Sequence, residues 1–326
     1  MIAVYDIRRT SSIDLQGDID VGISRSPDGG ETWEPMKVIM DMGNWGGLPE
    51  NQNGIGDPCI LVDTVTNTIW VAALWAHGME DKRTFNASQH GLSPEVTGQL
   101  VLVNSKDDGL TWSKPIVITS QVKNPDWYLL LPGPGKGITM SDGTLVLPAQ
   151  FRDKEKIPSS TIIWSIDKGK SWNIGTAAKS NTTEAQVVEL SDGSLMLNMR
   201  DNRGGSRAVA VTRNLGKTWE EHPSSNHALI EPICMASLIK HKTITKEILL
   251  FSNPSSTTGR HHMTIKASLD EGQTWQEKYW KLLDELSGRG YSCLTSVDEN
   301  TIGILYEGSQ ADLVYEKISL DEIIKE

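Results

Sequence analysis

The residues of this chain that could do chemistry are scattered rather than gathered in one short motif. Arg200 and Arg260 follow strand-like segments, and a planar, permanently charged guanidinium suits bidentate binding of a carboxylate. Tyr291 and Glu184 also carry groups that can do chemistry, a phenol and a carboxylate, but nothing in their spacing pairs them. Taken alone, these residues have ordinary structural interpretations: surface ion pairs, a core aromatic and a solvated loop carboxylate.

The sequence gives little support for cofactor or metal chemistry. His261 and His262 are adjacent, but no third ligand follows at a suitable spacing, which favours structural packing over a metal site. Residues 133–137 are rich in glycine but lack the spacing and the strand-to-helix context of a phosphate-binding loop. We therefore interpret them as a turn and expect neither an organic cofactor nor a metal.

The charge of the chain limits its partners. The formal net charge is −11 at pH 7, and no basic cluster is present, which argues against a nucleic-acid partner. An anionic ligand must be held by a few local arginines that overcome the global field. No run approaches the roughly eighteen apolar residues of a membrane helix. We expect no integral membrane segment, and a monomer.

An internal repeat organises the chain. The pattern Ser-x-Asp-x-Gly-x-Thr-Trp occurs at residues 26–33, 105–112 and 268–275, with a Ser-for-Thr variant at 165–172 and a weaker copy at 212–219. Asp or Asn accepts hydrogen bonds from turn amides, and Gly supplies a positive φ. Strand-like flanks make each copy a hairpin connection. We expect these aspartates to be structural rather than catalytic.

The repeats predict the architecture. Five hairpins at spacings of roughly fifty to eighty residues indicate repeated four-stranded sheets arranged radially. The sequence therefore predicts an all-β propeller that forms a single domain over residues 1–326.

These repeats resemble the Asp boxes (BNR repeats) of the sialidase superfamily. Further segments resemble bacterial sialidases, above all those of gut Bacteroides, along nearly the whole chain. These segments are residues 4–8, 12–16, 56–58, 183–187, 197–204, 251–262, 290–294 and 305–307. The resemblance implies the six-bladed β-propeller of that superfamily. It also implies an exo-α-sialidase, a glycoside hydrolase that removes terminal sialic acid from glycoproteins, glycolipids and oligosaccharides.

The resemblance also implies roles for individual residues. Tyr291 matches the nucleophile and Glu184 its base, in an enzyme that retains anomeric configuration through a tyrosyl intermediate. Asp14 matches the acid/base residue, on a loop that we expect to be exposed and mobile. Asp18 and Asp20 are its rivals, but the position in the motif favours Asp14.

The substrate contacts follow from the same resemblance. Arg200 and Arg260 match two of the three arginines that clamp the carboxylate of the sugar. Arg8 and Asp57 match pocket residues near the 4-hydroxyl and N-acetyl groups, with Arg9 as an alternative to Arg8. The side chains of Trp75, Trp127 and Gln150 could line the pocket, although core packing is the more ordinary role for a large aromatic residue.

The chain departs from the family pattern at its start. The first clamp arginine belongs to a segment about twenty residues before the strand that here begins at Val4, so Glu307, its supporting partner in the family, has no visible partner. We interpret this as an N-terminally incomplete propeller that lacks its first strand. We expect the full-length protein to be secreted or periplasmic. The alternative function is a sialic-acid-binding or catalytically impaired propeller.

Overall fold

The computed structural model describes residues 1–79 and 82–324, so that residues 80, 81, 325 and 326 of the predicted domain lie outside it. The chain divides into two compact units, Met1–Ser180 and Asn181–Glu326. Three main antiparallel sheets form in the described part of each unit.

The N-terminal unit contains three sheets. The first consists of β1 (Ile2–Arg8), β2 (Ile19–Arg25) and β3 (Lys37–Met40). The second consists of β4 (Ile55–Asp63), β5 (Thr68–Trp75), β6 (Gln99–Ser105) and β7 (Ile116–Val117), with β9 (Gly135–Lys136) parallel to β4. The third consists of β8 (Leu129–Pro132), β10 (Ile138–Thr139), β11 (Leu145–Arg152), β12 (Pro158–Ser165), β13 (Asn173–Ile174) and β14 (Lys179–Ser180).

The helices of this unit are short. They are α1 (Thr84–Ala87), α2 (Thr119–Val122) and the 3₁₀ turns Trp45–Gly47 and Glu50–Gln52.

The C-terminal unit also contains three main sheets. The fourth sheet consists of β15 (Thr182–Glu189), β16 (Leu195–Asp201), β18 (Ala208–Thr212) and β19 (Glu220–Glu221), beside a ribbon of β17 (Gly205–Ser206) and β20 (Ile230–Glu231). The fifth consists of β21 (Ser237–Lys242), β22 (Glu247–Pro254), β23 (Met263–Ser268) and β24 (Trp280–Asp284). The sixth consists of β25 (Ser292–Ser296), β26 (Thr301–Tyr306) and β27 (Val314–Ser319). The 3₁₀ turns Glu277–Tyr279 and Leu320–Glu322 complete this unit.

The aspartate of each repeat closes its own turn. Asp107 accepts hydrogen bonds from the Ser105 hydroxyl (2.8 Å), the Thr111 amide (2.9 Å) and the Thr111 hydroxyl (2.6 Å). The boxes at residues 26–33, 165–172 and 268–275 repeat this pattern. These hydroxyl and amide donors lower the pKa of Asp28, Asp107 and Asp167 to about 2. The local contacts agree with a structural role for the repeat aspartates.

The repeat glycines bring a turn close to the preceding sheet of the same unit. Gly169 has a φ of +78°, and a Cβ at this position would collide with the Trp70 ring of the second sheet. A Cβ on Gly109 would lie 2.6 Å from Ile2 of the first sheet, and one on Gly272 would lie 3.1 Å from Met196 of the fourth. Glycine therefore satisfies two demands here, a left-handed backbone and close packing between sheets.

Apolar clusters between neighbouring sheets form the core of each unit. In the N-terminal unit Trp70 and Trp172 meet edge to face at 6.0 Å within a cluster that also contains Leu100 and Leu147. In the C-terminal unit the largest cluster joins the fifth and sixth sheets and contains Leu250 and Ile304. None of the described helices is long and apolar enough to cross a membrane.

The C-terminal unit buries the cationic side chain of Lys266. Lys266 on β23 is fully buried, and its ammonium donates to the Asn253 side-chain oxygen (2.9 Å) and lies 4.7 Å from the Trp280 ring centre. Burial, with a smaller contribution from Arg207, lowers the pKa of Lys266 to about 7. The folded state therefore binds this proton much less tightly than the unfolded chain does.

We expect Asp107→Asn to lower the Tm modestly at neutral pH and Asp107→Ala to lower it by several degrees. The fifth box supplies the reason: Asn214 accepts from the Thr218 amide (2.9 Å) and donates to the Thr218 hydroxyl (2.9 Å). Because the pKa of Asp107 is lowered, its carboxylate stabilises the fold above about pH 4, and this contribution is lost as the pH falls toward 2. Thermal unfolding between pH 2 and 7 should therefore show wild type and Asp107→Asn converging in acid; a constant difference would contradict this account.

We also expect Lys266→Met to reduce the dependence of stability on pH. The lowered pKa opposes folding fully below about pH 7, by on the order of 5 kcal/mol, and this penalty disappears as the pH rises toward 10.5. The gain in unfolding free energy from Lys266→Met should thus be larger at pH 6 than at pH 9, as measured by urea unfolding. The exposed Lys242→Met is the matched control, for which no such pH-dependent gain is expected.

Candidate active site

The C-terminal unit brings together a phenol, a carboxylate and a guanidinium. Glu184 lies on β15, where the register with β16 shifts between Thr182 and Ala185. One carboxylate oxygen of Glu184 accepts a short hydrogen bond from the Tyr291 hydroxyl, and the other accepts one from Arg200 (2.7 Å). A phenol that donates to a carboxylate is arranged for loss of its proton when the oxygen forms a new bond.

The neighbours of the Arg200 guanidinium stabilise its positive charge. Burial alone lowers the pKa of Arg200, but the adjacent Glu184 carboxylate and Tyr291 outweigh it, so that the pKa is raised. The side chain is 20% exposed, and its Nε is buried without a hydrogen-bond partner among the described residues. Arg200 is therefore a permanent cation beside the phenol.

Arg260 and Glu307 lie on either side of Tyr291. The Arg260 guanidinium lies 5.6 Å from the centre of the Tyr291 ring and donates to the Arg289 carbonyl (2.8 Å). The Glu307 carboxylate accepts from the Tyr291 amide (3.1 Å), and the Glu307 amide donates to the Tyr291 carbonyl (2.9 Å). Glu307 thus has a partner that the sequence did not reveal, since it supports the main chain of Tyr291.

The N-terminal unit contains a second charged group. Arg8, at the end of β1, donates to Asp6 through Nε (3.2 Å) and Nη2 (3.0 Å), and to Asp14 through Nη1 (3.2 Å). Asp6 also accepts the Asp57 amide (3.0 Å), at a residue whose φ is +55°. Burial lowers the pKa of Arg8, but Asp6 and the other carboxylates outweigh it and raise the pKa. Arg8 and Asp6 therefore link the three predicted residues of this unit, Arg8, Asp14 and Asp57.

Asp6 was not predicted as a site residue. Its signal is the Asp-x-Arg spacing on a strand, which places both side chains on one face. Burial raises the pKa of Asp6, although the Arg8 guanidinium opposes this shift.

The chain that follows Asp14 is anchored. The Asp14 side chain is 61% exposed and lies 3.6 Å from Arg83, but Leu15 is buried. Gln16 donates to the carbonyls of Ala76 (2.8 Å) and Gly78 (2.6 Å) and accepts from two backbone amides. The structure therefore shows an exposed carboxylate on a tethered segment, where the sequence predicted a mobile loop.

The rival residues near Asp14 have different partners. Arg9 donates to Asp20 (2.8 Å) and lies 3.8 Å from Asp18, so that all three side chains belong to a separate ion-pair group. This arrangement leaves Arg8 as the arginine that contacts both Asp6 and Asp14.

The remaining candidates have structural surroundings. Trp75 is buried in an apolar cluster, and Trp127 stacks on Phe151 with ring centres 3.8 Å apart. Gln150 is buried on β11. His261 contacts His262, and no group of three or more metal-ligating side chains occurs among residues 1–79 and 82–324.

Comparison with known proteins places this geometry in a class. The family model of the "BNR repeat-like domain" matches residues 12–304. A solved structure of a Hadza microbial sialidase superposes with a TM-score of 0.97 at 55% identity and covers 99% of this chain and 64% of that one. The chain is therefore a BNR-repeat protein with the predicted six-bladed β-propeller fold.

Relatives in sequence identify the family of this chain. A curated sialidase of Bacteroides fragilis (strain YCH46) is 56% identical over 329 residues, which cover all of this chain and 60% of that protein. A sialidase of Clostridium perfringens is 32% identical over 94% of this chain and 83% of its own length. The chain belongs to the sialidase family. It spans less than two thirds of the Bacteroides relative and of the solved structure.

We expect Gln16→Glu to loosen the segment that carries Asp14. The carboxylate cannot donate to the two carbonyls that Gln16 contacts, and each lost hydrogen bond contributes about 1 kcal/mol. Amide exchange at residues 12–18 should therefore become at least about tenfold faster. Gln89→Glu is the matched control, because the Gln89 amide donates only to the Ala87 carbonyl at the surface. Unchanged exchange in Gln16→Glu would show that Leu15 packing alone anchors the segment.

Proposed function

We propose that this chain is an exo-α-sialidase that hydrolyses terminal sialic acid with retention of anomeric configuration. The observation that carries the proposal is the Glu184 carboxylate, which accepts the Tyr291 phenol on one oxygen and Arg200 on the other. Membership of the sialidase family supplies the substrate class. The names of the relatives from Bacteroides fragilis and Clostridium perfringens support the same activity.

The arginines fit the charge of the substrate. Sialic acid has a carboxylate on its anomeric carbon, and the net charge of −11 requires local cations to bind it. Arg200 and Arg260 lie around Tyr291, which would place the carboxylate beside the reacting oxygen. Arg8 and Asp57 are proposed to contact other substituents of the sugar ring.

The choice of nucleophile follows from the same charge. An anionic nucleophile would be repelled by the substrate carboxylate, whereas a neutral phenol is not. Tyr291 Oη attacks the anomeric carbon while Glu184 accepts the phenol proton, and the bond to the glycosidic oxygen breaks. Arg200 is the counter-ion of Glu184 and itself stays charged throughout.

Asp14 is proposed as the acid and base. Its proton passes to the departing glycosidic oxygen, so that the aglycone leaves as a neutral alcohol. In the second step the Asp14 carboxylate takes a proton from water, whose oxygen attacks the anomeric carbon. The bond to Tyr291 breaks, and the phenol recovers its proton from Glu184. The exposure of Asp14 suits a group that must meet both the aglycone and water.

We expect Tyr291→Phe to lower kcat for an aryl α-sialoside by at least about a thousandfold, because the nucleophilic oxygen is lost while the ring remains. Release of the fluorescent phenol measures this directly. Tyr306→Phe is the control: it removes another phenol that donates to a carboxylate, that of Glu316 (2.6 Å), and should leave kcat nearly unchanged.

Two further outcomes decide between the functions. If the wild type binds sialic acid but releases no phenol, and Tyr291→Phe binds equally well, the chain is a binding propeller. If hydrolysis occurs, NMR of the first-formed product should show the α-anomer, and appearance of the β-anomer first would rule out the retaining mechanism.

A further inference from the structure

A buried ion pair lies behind the phenol and carboxylate of the C-terminal unit. Arg207, which follows β17, and Glu231 on β20 are both fully buried, and Arg207 Nη1 donates to Glu231 Oε2 at 2.7 Å. An ion pair taken fully out of water is weak support for stability, because the cost of desolvation offsets most of the attraction. Its partners therefore indicate what it does.

The Arg207 guanidinium contacts the strands that carry two residues of the candidate site. Its Nε donates to the Asn198 side-chain oxygen (2.7 Å), two residues before Arg200 on β16. Its Nη2 donates to the main-chain carbonyl of Glu184 at 3.5 Å, which is a long bond. One rigid, planar cation thus connects β15 at Glu184 with β16 beside Arg200.

Glu231 completes the connection from the other side. Its Oε1 accepts the amide of Asp201, the residue that directly follows Arg200, at 2.7 Å. Arg207 also donates to the Cys234 carbonyl (2.7 Å), and the Cys234 thiol donates to the carbonyl of Gly290, the neighbour of Tyr291, at 3.4 Å. The contacts of the pair therefore reach the main chain beside Glu184, Arg200 and Tyr291.

We propose that the Arg207–Glu231 pair is a positioning element, which fixes the Glu184 carboxylate and the Arg200 guanidinium relative to the Tyr291 phenol. Its contribution to catalysis rests on the proposed function, whereas its effect on geometry does not. Neither side chain is exposed enough to touch a substrate, so both act only through the residues they hold. Because their charges cancel, the pair orders the site without adding net charge to it.

The decisive experiment removes both charges together. In the double variant Arg207→Met with Glu231→Gln, the glutamine oxygen still accepts the Asp201 amide. The links of Arg207 to Asn198, Glu184 and Cys234 are lost, as is the bond from the Cys234 amide to Glu231 Oε2. We expect a folded protein whose kcat for an aryl α-sialoside falls at least about tenfold, with a KM within about threefold of wild type. The companion variant Arg207→Lys keeps the charge pair, but the lysine cannot reach all the partners of the guanidinium. If the double variant fails to fold, Arg207→Lys should show the same lower kcat with a nearly unchanged KM.

A second measurement needs no turnover. Fluorotyrosine labelling gives resonances for the six tyrosines, and the one from Tyr291 is identified by its loss in Tyr291→Phe. The proposal expects this resonance to shift in the double variant, since the phenol and its carboxylate partner are no longer held together. Leu250→Ala is the stability control: it creates a cavity in the fifth sheet and should lower the Tm without moving the resonance or kcat.

The outcomes separate the two proposals. Wild-type kcat and an unmoved resonance in the double variant would overturn the positioning role. The role would also be overturned if Leu250→Ala lowered kcat and shifted the resonance as much as the double variant does. If the resonance shifts but the wild type never hydrolyses a sialoside, the positioning geometry stands and the proposed function fails. A shifted resonance with a lower kcat supports both.

Discussion

The Glu184 carboxylate divides its two oxygens between a phenol and a guanidinium, and the C-terminal part of the site depends on this division. If Arg200 were absent, a half-buried carboxylate would lack its counter-ion. Without Tyr291, the other oxygen of the Glu184 carboxylate would lose its hydrogen-bond donor. The irregular register of β15 at this point brings the carboxylate to the place where both partners reach it. The surrounding contacts from Glu307, Arg207 and Glu231 act on main chain, so that they restrict these three groups without competing for their polar atoms.

Much of the fold could be predicted from sequence because its strongest signal is local. The spacing of Ser, Asp, Gly and Thr within eight residues determines a turn through contacts among those same residues. Copies of that turn identify hairpins, and hairpins at repeat spacing indicate a propeller. The aligned phenol, carboxylate and arginines were found because short surrounding segments resemble those of a known family. The geometry agrees with their grouping in the C-terminal unit, while their chemical roles stay predictions.

The residues that escaped prediction share a physical property: their partners lie far away in the sequence. Gln16 looks like any loop glutamine until residues 54 and 76–78 fold around it. Nothing in the sequence distinguishes Arg207 and Glu231 from exposed charged residues. Only sheet packing reveals that they form a buried ion pair. The contact of Glu307 escaped prediction for the same reason, because its partner is the main-chain amide of Tyr291, just before β25, which has no side-chain signature. Sequence spacing carries information about turns, but not about which loops meet.

The Asp boxes have a further consequence for how an all-β chain of this length can fold. Sheets formed from distant segments fold slowly, because loop-closure entropy must be overcome before strand contacts stabilise the structure. In a box, the serine, glycine and threonine that contact one another or the aspartate lie within four positions along the chain. The closure entropy of that turn is consequently small, so that pairing of its two flanking strands does not require any other sheet to be complete. Each box is thus a local starting point for strand pairing, which divides one long search into several short ones.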